Sequence, residues 1–196
     1  MIKNNKKIII ISFIALCIII YILAQSIYFT PTDEIKISNI KPISNIPTTN
    51  NFNSKLLIPS LKINAKIQNV GITKKGNMST PNNFFDVGLY KYGPNPGEKG
   101  SAIIDGHVNN GFGLKAVFGD LKNIKIGDDI YVEMEKGIKV HFVVTETSLY
   151  DYNAPADSVF NQKDNSYLKL ITCSGTWIPE IKTHDKRLVV TAIKKD

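Results

Sequence analysis

The sequence predicts an all-β fold: a closed or nearly closed barrel of about eight short strands with one or two short helices, preceded by a single N-terminal transmembrane helix. Three observations carry this. Residues 8–24 form an almost uninterrupted apolar run near the N-terminus. Residues 30–53 are rich in Pro, Thr, Ser and Asn. From residue 55 onward, short runs of β-branched and aromatic residues recur between Gly, Pro, Asn and Asp. A β-sandwich is the competing architecture.

Residues 1–7 are polar and basic, with Lys3, Lys6 and Lys7 ahead of the apolar run. As a helix, residues 8–29 would span about 33 Å, close to the thickness of a bilayer core. Asp33 and Glu34 follow it. The positive-inside bias then leaves the basic tail in the cytoplasm and the remainder outside, as a single-pass membrane protein. Ala24-Gln25-Ser26 would suit a signal peptidase, but the apolar core is longer than in a cleaved signal, so an uncleaved anchor is expected. Lipidation at Cys17 is disfavoured by the bulky Leu16 before it and by the apolar run that continues past it. Residues 30–54 read as a flexible extracellular stalk, with Lys41-Pro42-Ile43-Ser44-Asn45-Ile46-Pro47 as its typical composition.

The folded unit is expected over residues 55–196. Leu56 to Pro59 opens it, and Ile63 to Ile72 alternates, with Ile63, Ala65 and Ile67 on one face. Further strands are expected at Phe85 to Tyr90, Ser101 to Asp105, Asp129 to Glu133, Val140 to Thr145, Leu168 to Thr172 and Leu188 to Ile193. Pro94 to Gly100 and Gly127-Asp128-Asp129 read as turns. Short helices are expected near Leu114 to Leu121 and near Ala156 to Asn161.

The net charge of +7 is dispersed among acidic residues, as in Glu133-Met134-Glu135-Lys136. No basic stripe with interleaved aromatics appears, which argues against nucleic-acid binding. Cys17 lies inside the apolar run, so Cys173 is the only thiol of the folded unit and no disulfide can form within it. Free cysteine is ordinarily a small buried hydrophobe. Cys173, however, follows an apolar strand and precedes Ser174-Gly175-Thr176, a sequence suited to exposing it.

His107 occupies a similar place, after Ser101 to Asp105 and Gly106. Of the other two histidines, His141 sits inside a strand pattern and His184 in a polar loop. A thiol of ordinary acidity needs an imidazolium beside it, or an imidazole to take its proton, before it can attack. Arg187 is the only arginine among the 24 basic side chains. A chain that otherwise uses lysine places here a group that stays charged and offers a rigid donor fork, suited to an oxyanion. No CxxC, HxxxH or carboxylate pair with ligand spacing accompanies His107 and Cys173, so no metal is expected.

These residues resemble the sortase family. The resemblance lies in Ile104-Asp105-Gly106-His107, in Leu170-Ile171-Thr172-Cys173, in Arg187 fourteen residues later, and in the opening Leu57-Ile58-Pro59-Ser60-Leu61-Lys62-Ile63. It covers Lys55 to Lys194. Lys169 stands where the family's cysteine motif begins with threonine. Ser174-Gly175 is similar to the class F or class E branches, whereas a pilus-polymerising class C enzyme is not expected, since neither its lid segment nor its C-terminal anchor is seen.

The resemblance implies an eight-stranded sortase-type barrel and a cysteine-type transpeptidase of the hydrolase class. On that basis Cys173, His107 and Arg187 are catalytic and Thr172 helps shape the substrate site. The substrates implied are surface proteins with a Leu-Pro-x-Thr-Gly-like sorting signal, cleaved between Thr and Gly through a thioester. The acceptor implied is a peptidoglycan-precursor amine in a Gram-positive-type wall, and no cofactor is needed. An L,D-transpeptidase would carry a Ser-His-Gly-Cys-like nucleophile segment, and a papain-like peptidase would place its cysteine before its histidine. A sortase-fold hydrolase and a non-catalytic binding barrel are the remaining alternatives.

Overall fold

The structure, a computed structural model, describes residues 2–28, 54–74, 76–134, 137–155 and 157–195. The stalk at 30–53, with Phe29 before it and Ala156 later in the chain, lies outside the described residues. Helix α1 (Ile2–Tyr28) carries the apolar run. Its stretch Lys7–Ala24 has a mean hydropathy of 2.8 and is long and apolar enough to cross a membrane. None of its large side chains from Ile8 to Leu23 is buried against the rest of the protein.

Eight strands follow: β1 (Lys55–Ile58), β2 (Ile63–Val70), β3 (Val87–Tyr90), β4 (Gly100–Asp105), β5 (Asp129–Glu133), β6 (Lys139–Asp151), β7 (Ser166–Ile178) and β8 (Thr183–Lys194). A second helix, α2 (Asp157–Phe160), lies between β6 and β7. The strands close into a barrel in the order β1-β2-β3-β4-β7-β8-β6-β5, β5 pairing back onto β1. The closed barrel expected from the sequence is therefore found, and the sandwich is not. Two pairs, β2/β3 and β4/β7, are parallel. Parallel neighbours need long connections. The one between β2 and β3, and the last stretch of the β4-to-β7 crossover, between β6 and β7, carry residues that cover the barrel's outer face.

The strand pleat divides the apolar residues into two clusters. Ala102 and Ile104 of β4, Leu168 and Leu170 of β7, and Leu188 and Val190 of β8 point into the barrel. Phe118 and Leu121, from the connection between β4 and β5, join them there. The alternate residues Ile103, Ile171 and Val189 point outward. Val70, Met78 and Tyr90 cover them from one side and Val159 of α2 from another. Every residue of β4 is consequently buried. Truncating Ile103 or Ile104 to alanine would cost about 2–5 kcal/mol, as for other core aliphatics.

Two local expectations are corrected. Residues 114–121 do not form an α-helix; they run as turns into a short 3₁₀ segment, Leu121–Asn123. Several of their backbone hydrogen bonds go outside the segment, Ala116 N–H to the Val108 carbonyl, Val117 N–H to the Phe84 carbonyl and Phe118 N–H to the His107 carbonyl, so the chain is pinned to its neighbours. Only turn bonds such as Gly119 N–H to the Ala116 carbonyl stay within it. Strands β6, β7 and β8 also extend well past their apolar cores. The outer parts of β6 and β7 are largely exposed while that of β8 is mostly half-buried, and the ladder bonds between the three strands keep them extended.

Candidate active site

The longer strands change where the expected site residues lie. Cys173 is not at a strand end, because β7 continues to Ile178. Arg187 does not precede the last strand, because β8 begins at Thr183. His184 belongs to β8 and is buried, not part of a polar loop. Cys173 and Arg187 are direct partners in the antiparallel β7/β8 ladder. Partners of that kind lie about 5 Å apart at Cα and project from the same face. Ile171 and Val189, the pair two residues back along the ladder, face outward, so by the alternation of the pleat Cys173 and Arg187 do too.

His107 reaches the same face from β4. Asp105 pairs with Ile171 in the parallel ladder, and the ladder continues with Gly106 N–H donating to the Ile171 carbonyl at 3.1 Å. Two further features fix this segment. Thr172, on the inward row of β7, donates its Oγ1 hydroxyl to the Gly106 carbonyl at 2.7 Å. Phe118 N–H donates to the His107 carbonyl at 2.9 Å. Residue 106 must be glycine, since a Cβ there would sit 2.6 Å from the Phe118 ring. The Gly-His dipeptide thus results from packing Phe118 under the imidazole's own backbone. On β6, Tyr150 pairs with Arg187 and adds a fourth, half-buried side chain to the row.

The His107 ring is 6% exposed. Its Nε2 lies 3.2 Å from the Pro81 carbonyl oxygen, and its edge packs on Phe84 with centroids 5.2 Å apart. A carbonyl only accepts, so this contact assigns the proton to Nε2 and leaves Nδ1 as the nitrogen able to exchange one. Arg187 is 9% exposed. Its Nη1 donates to the His184 and Lys186 carbonyls, each at 3.0 Å, and its Nη2 donates to Thr183 Oγ1 at 2.9 Å. A guanidinium has five N–H groups. Those three bonds aim it, and the Nε–H and second Nη2–H remain for another acceptor.

Beyond Cys173 the β7/β8 hairpin contains a bulge between Ser174 and Trp177. Gly175 adopts φ +79° there, and Thr176 N–H donates to Asp185 Oδ1 at 2.7 Å. The bulge carries a half-exposed Trp177 whose ring meets His184 edge-on at 5.4 Å.

The sequence matches the sortase domain family over residues 56–195. The chain belongs to the sortase family. Solved sortases share its fold. Sortase C1 of GBS pilus island 1 is 17% identical with a TM-score of 0.55, over 73% of this chain. Sortase A from Corynebacterium diphtheriae, as a lid mutant, is 19% identical with a TM-score of 0.57, over 73% of this chain and 69% of that one. The Clostridium perfringens sortase D5 transpeptidase is 18% identical with a TM-score of 0.55, over 73% and 78% of the two chains. This sortase spans 64% of the length of the GBS protein, less than two thirds. No curated protein matches the sequence.

Lys169, in place of the motif's threonine, is on the outward row of this sortase's β7, two residues before Ile171. It is buried, and its ammonium lies 5.8 Å from the centre of the Tyr167 ring. Burial holds its pKa below the usual lysine range, partly offset by Glu146. Sequence reasoning did not find Pro81, Tyr150 or Thr183. The first acts through its backbone, and the other two are defined only by cross-strand register.

The Thr172 hydroxyl offers a direct test of how the histidine is held. Thr172→Val keeps the volume and removes the bond to Gly106. A loss of about 1–2 kcal/mol is expected. Activity should fall more than this loss of stability accounts for, because His107 loses an anchor. Thermal melting and single-turnover rates on the same sample measure the two effects.

Proposed function

We propose that this sortase is a membrane-anchored cysteine transpeptidase that cleaves a Leu-Pro-x-Thr-Gly-like sorting signal between Thr and Gly and transfers the acyl part to a peptidoglycan-precursor amine. The observation that carries the reading is the register of three adjoining chain segments. Cys173 and Arg187 are ladder partners, and His107 extends the ladder next to them on the same face.

The steps follow from the groups present. With the proton on His107, the Cys173 thiolate attacks the threonine carbonyl carbon. The carbonyl π electrons move to oxygen, and the Nε–H and remaining Nη2–H of Arg187 stabilise that oxyanion. When the intermediate collapses, the C–N bond breaks and His107 gives its Nδ1 proton to the departing glycine amine. A thioester on Cys173 remains. The incoming amine attacks the thioester carbon, neutral His107 takes its proton, and the thiolate leaves. Thr172 supports this by fixing Gly106, and no step needs a cofactor. Lys3, Lys6 and Lys7, at the start of α1 and ahead of its apolar run, favour a cytoplasmic N-terminus and an extracellular barrel.

Incubating the protein with sorting-signal peptides and an amine acceptor should give a covalent enzyme adduct and then the transfer product, both read by mass. Release of free acid alone would make it a hydrolase instead. Removal of residues 1–50 takes away α1, which no part of the barrel buries, and should leave a soluble, active domain. Gel filtration and the same peptide assay check this, and an insoluble or inactive product would contradict it.

A further inference from the structure

Resting on the transpeptidase reading, the geometry points to Asp105 as a positioning residue for His107: its buried carboxylate favours the imidazolium form and so biases the Cys173–His107 pair toward thiolate and imidazolium.

Asp105 is 2% exposed at the end of β4. It shares the outward face with Ile103 before it and lies two residues before His107. Side chains at that spacing on an extended chain project from one face, about 7 Å apart at their Cα atoms. A carboxylate can then come within about 4–6 Å of the ring, the range over which opposite charges favour each other's ionised forms. The carboxylate is placed by the strand beside it. Gly88 of β3 is the ladder partner of Asp105, and a Cβ on Gly88 would sit 2.3 Å from Asp105 Oδ1 and 2.9 Å from a Val70 methyl. The carboxylate therefore lies over bare backbone, against an apolar wall. His107 leans in the same direction, onto Pro81 and Phe84 of the segment that leads into β3.

Burying a carboxylate among such neighbours is costly unless a positive charge answers it. The charged and titratable groups around it are few. On the segment before β3, Asp86 accepts from Gln68 and Asn83. On β3 there is Tyr90, whose hydroxyl burial raises in pKa. On β7 there are Cys173 and Lys169, and the Lys169 ammonium is turned over Tyr167, toward the start of that strand. On β8 Arg187 is tied by three bonds to its own strand. On β6 there is Tyr150. In the segment after His107, Lys115 is paired with Asp120. Among the described residues, the imidazole, two residues along the same face, is the group of this set placed to answer the Asp105 carboxylate with a positive charge.

The test is the pH dependence of Cys173 alkylation by iodoacetamide, with full-length protein in detergent. Cys17→Ala serves as the background, so that one thiol reports. The parent should carry a reactive thiolate well below the pH at which an ordinary thiol ionises. In Asp105→Asn, alkylation near pH 7 should fall about tenfold, as the whole profile moves to a pH higher by about one. The rate near pH 10, where the thiol ionises unaided, should equal the parent's. A merely structural role would lower both rates or neither. Gly88→Ala keeps the charge but displaces it, and should move the profile in the same direction, which preserves the test if asparagine at 105 unfolds the barrel. Lys169→Met should leave the profile in place; a displacement as large as that of Asp105→Asn would assign the carboxylate to Lys169 and overturn the proposal. An Asp105→Asn profile superimposing on the parent's would overturn it too, with the transpeptidase reading intact. A parent that alkylates as an ordinary thiol would remove the transpeptidase reading itself.

Discussion

Cys173→Ala should abolish both the acyl adduct and transfer, lowering turnover by at least about 10³-fold, while the barrel stays folded. The size of the effect follows from the chemistry. Without sulfur there is no thioester, and neither His107 nor Arg187 can substitute for a nucleophile. The small cost in stability follows from position. Cys173 is partly exposed and sits beyond the buried part of β7, so losing its Sγ opens little internal space. A change of about 1 kcal/mol or less is expected. Mass spectrometry of enzyme mixed with a sorting-signal peptide reads the adduct, and thermal melting reads the fold. Cys17→Ala is the matching control and should turn over normally, since that thiol lies in α1. If Cys173→Ala still formed a covalent adduct, the nucleophile would lie elsewhere and the site would have to be rebuilt.

The barrel was legible because its signals are local. The alternation in Ile63, Ala65 and Ile67 and the doubly buried run Gly100–Asp105 each show a strand from its own residues. The extent of β6, β7 and β8 was not legible in the same way. Residues such as Thr145, Glu146 and Thr147 carry no apolar alternation that reaches a core, and their extension depends on partners distant in sequence. The 114–121 segment failed as a helix for a related reason. Its apolar residues, Val117, Phe118 and Leu121, pack on the barrel from turns, and helical spacing alone does not distinguish the two.

The candidate site shows the same division. Composition pointed to a solitary thiol and a solitary arginine. Their pairing across β7 and β8, and the part played by the Pro81 carbonyl, depend on register and backbone direction, which a residue list does not encode.

The second large effect expected is on Arg187→Lys, which conserves charge and should still lower kcat by about 10²–10³-fold, the usual cost of losing an oxyanion donor. Lysine has three N–H groups on one nitrogen, whereas Arg187 already makes three bonds, to His184, Lys186 and Thr183, before substrate arrives. An ammonium that keeps those contacts has no donor left for an oxyanion. One that turns to the oxyanion abandons two carbonyls and a hydroxyl at a position only 9% exposed. Either way it cannot be both held and presented, which the planar fork manages through separate edges. KM should change by no more than a few-fold, because the missing bonds form chiefly as charge develops on the carbonyl oxygen. Arg187→Ala should be about as slow as Arg187→Lys, which separates fork geometry from charge. Steady-state kinetics on the two variants decide the matter. If lysine retained activity within tenfold of arginine while alanine did not, a point charge would suffice, and the role assigned to the two remaining guanidinium N–H groups would be wrong.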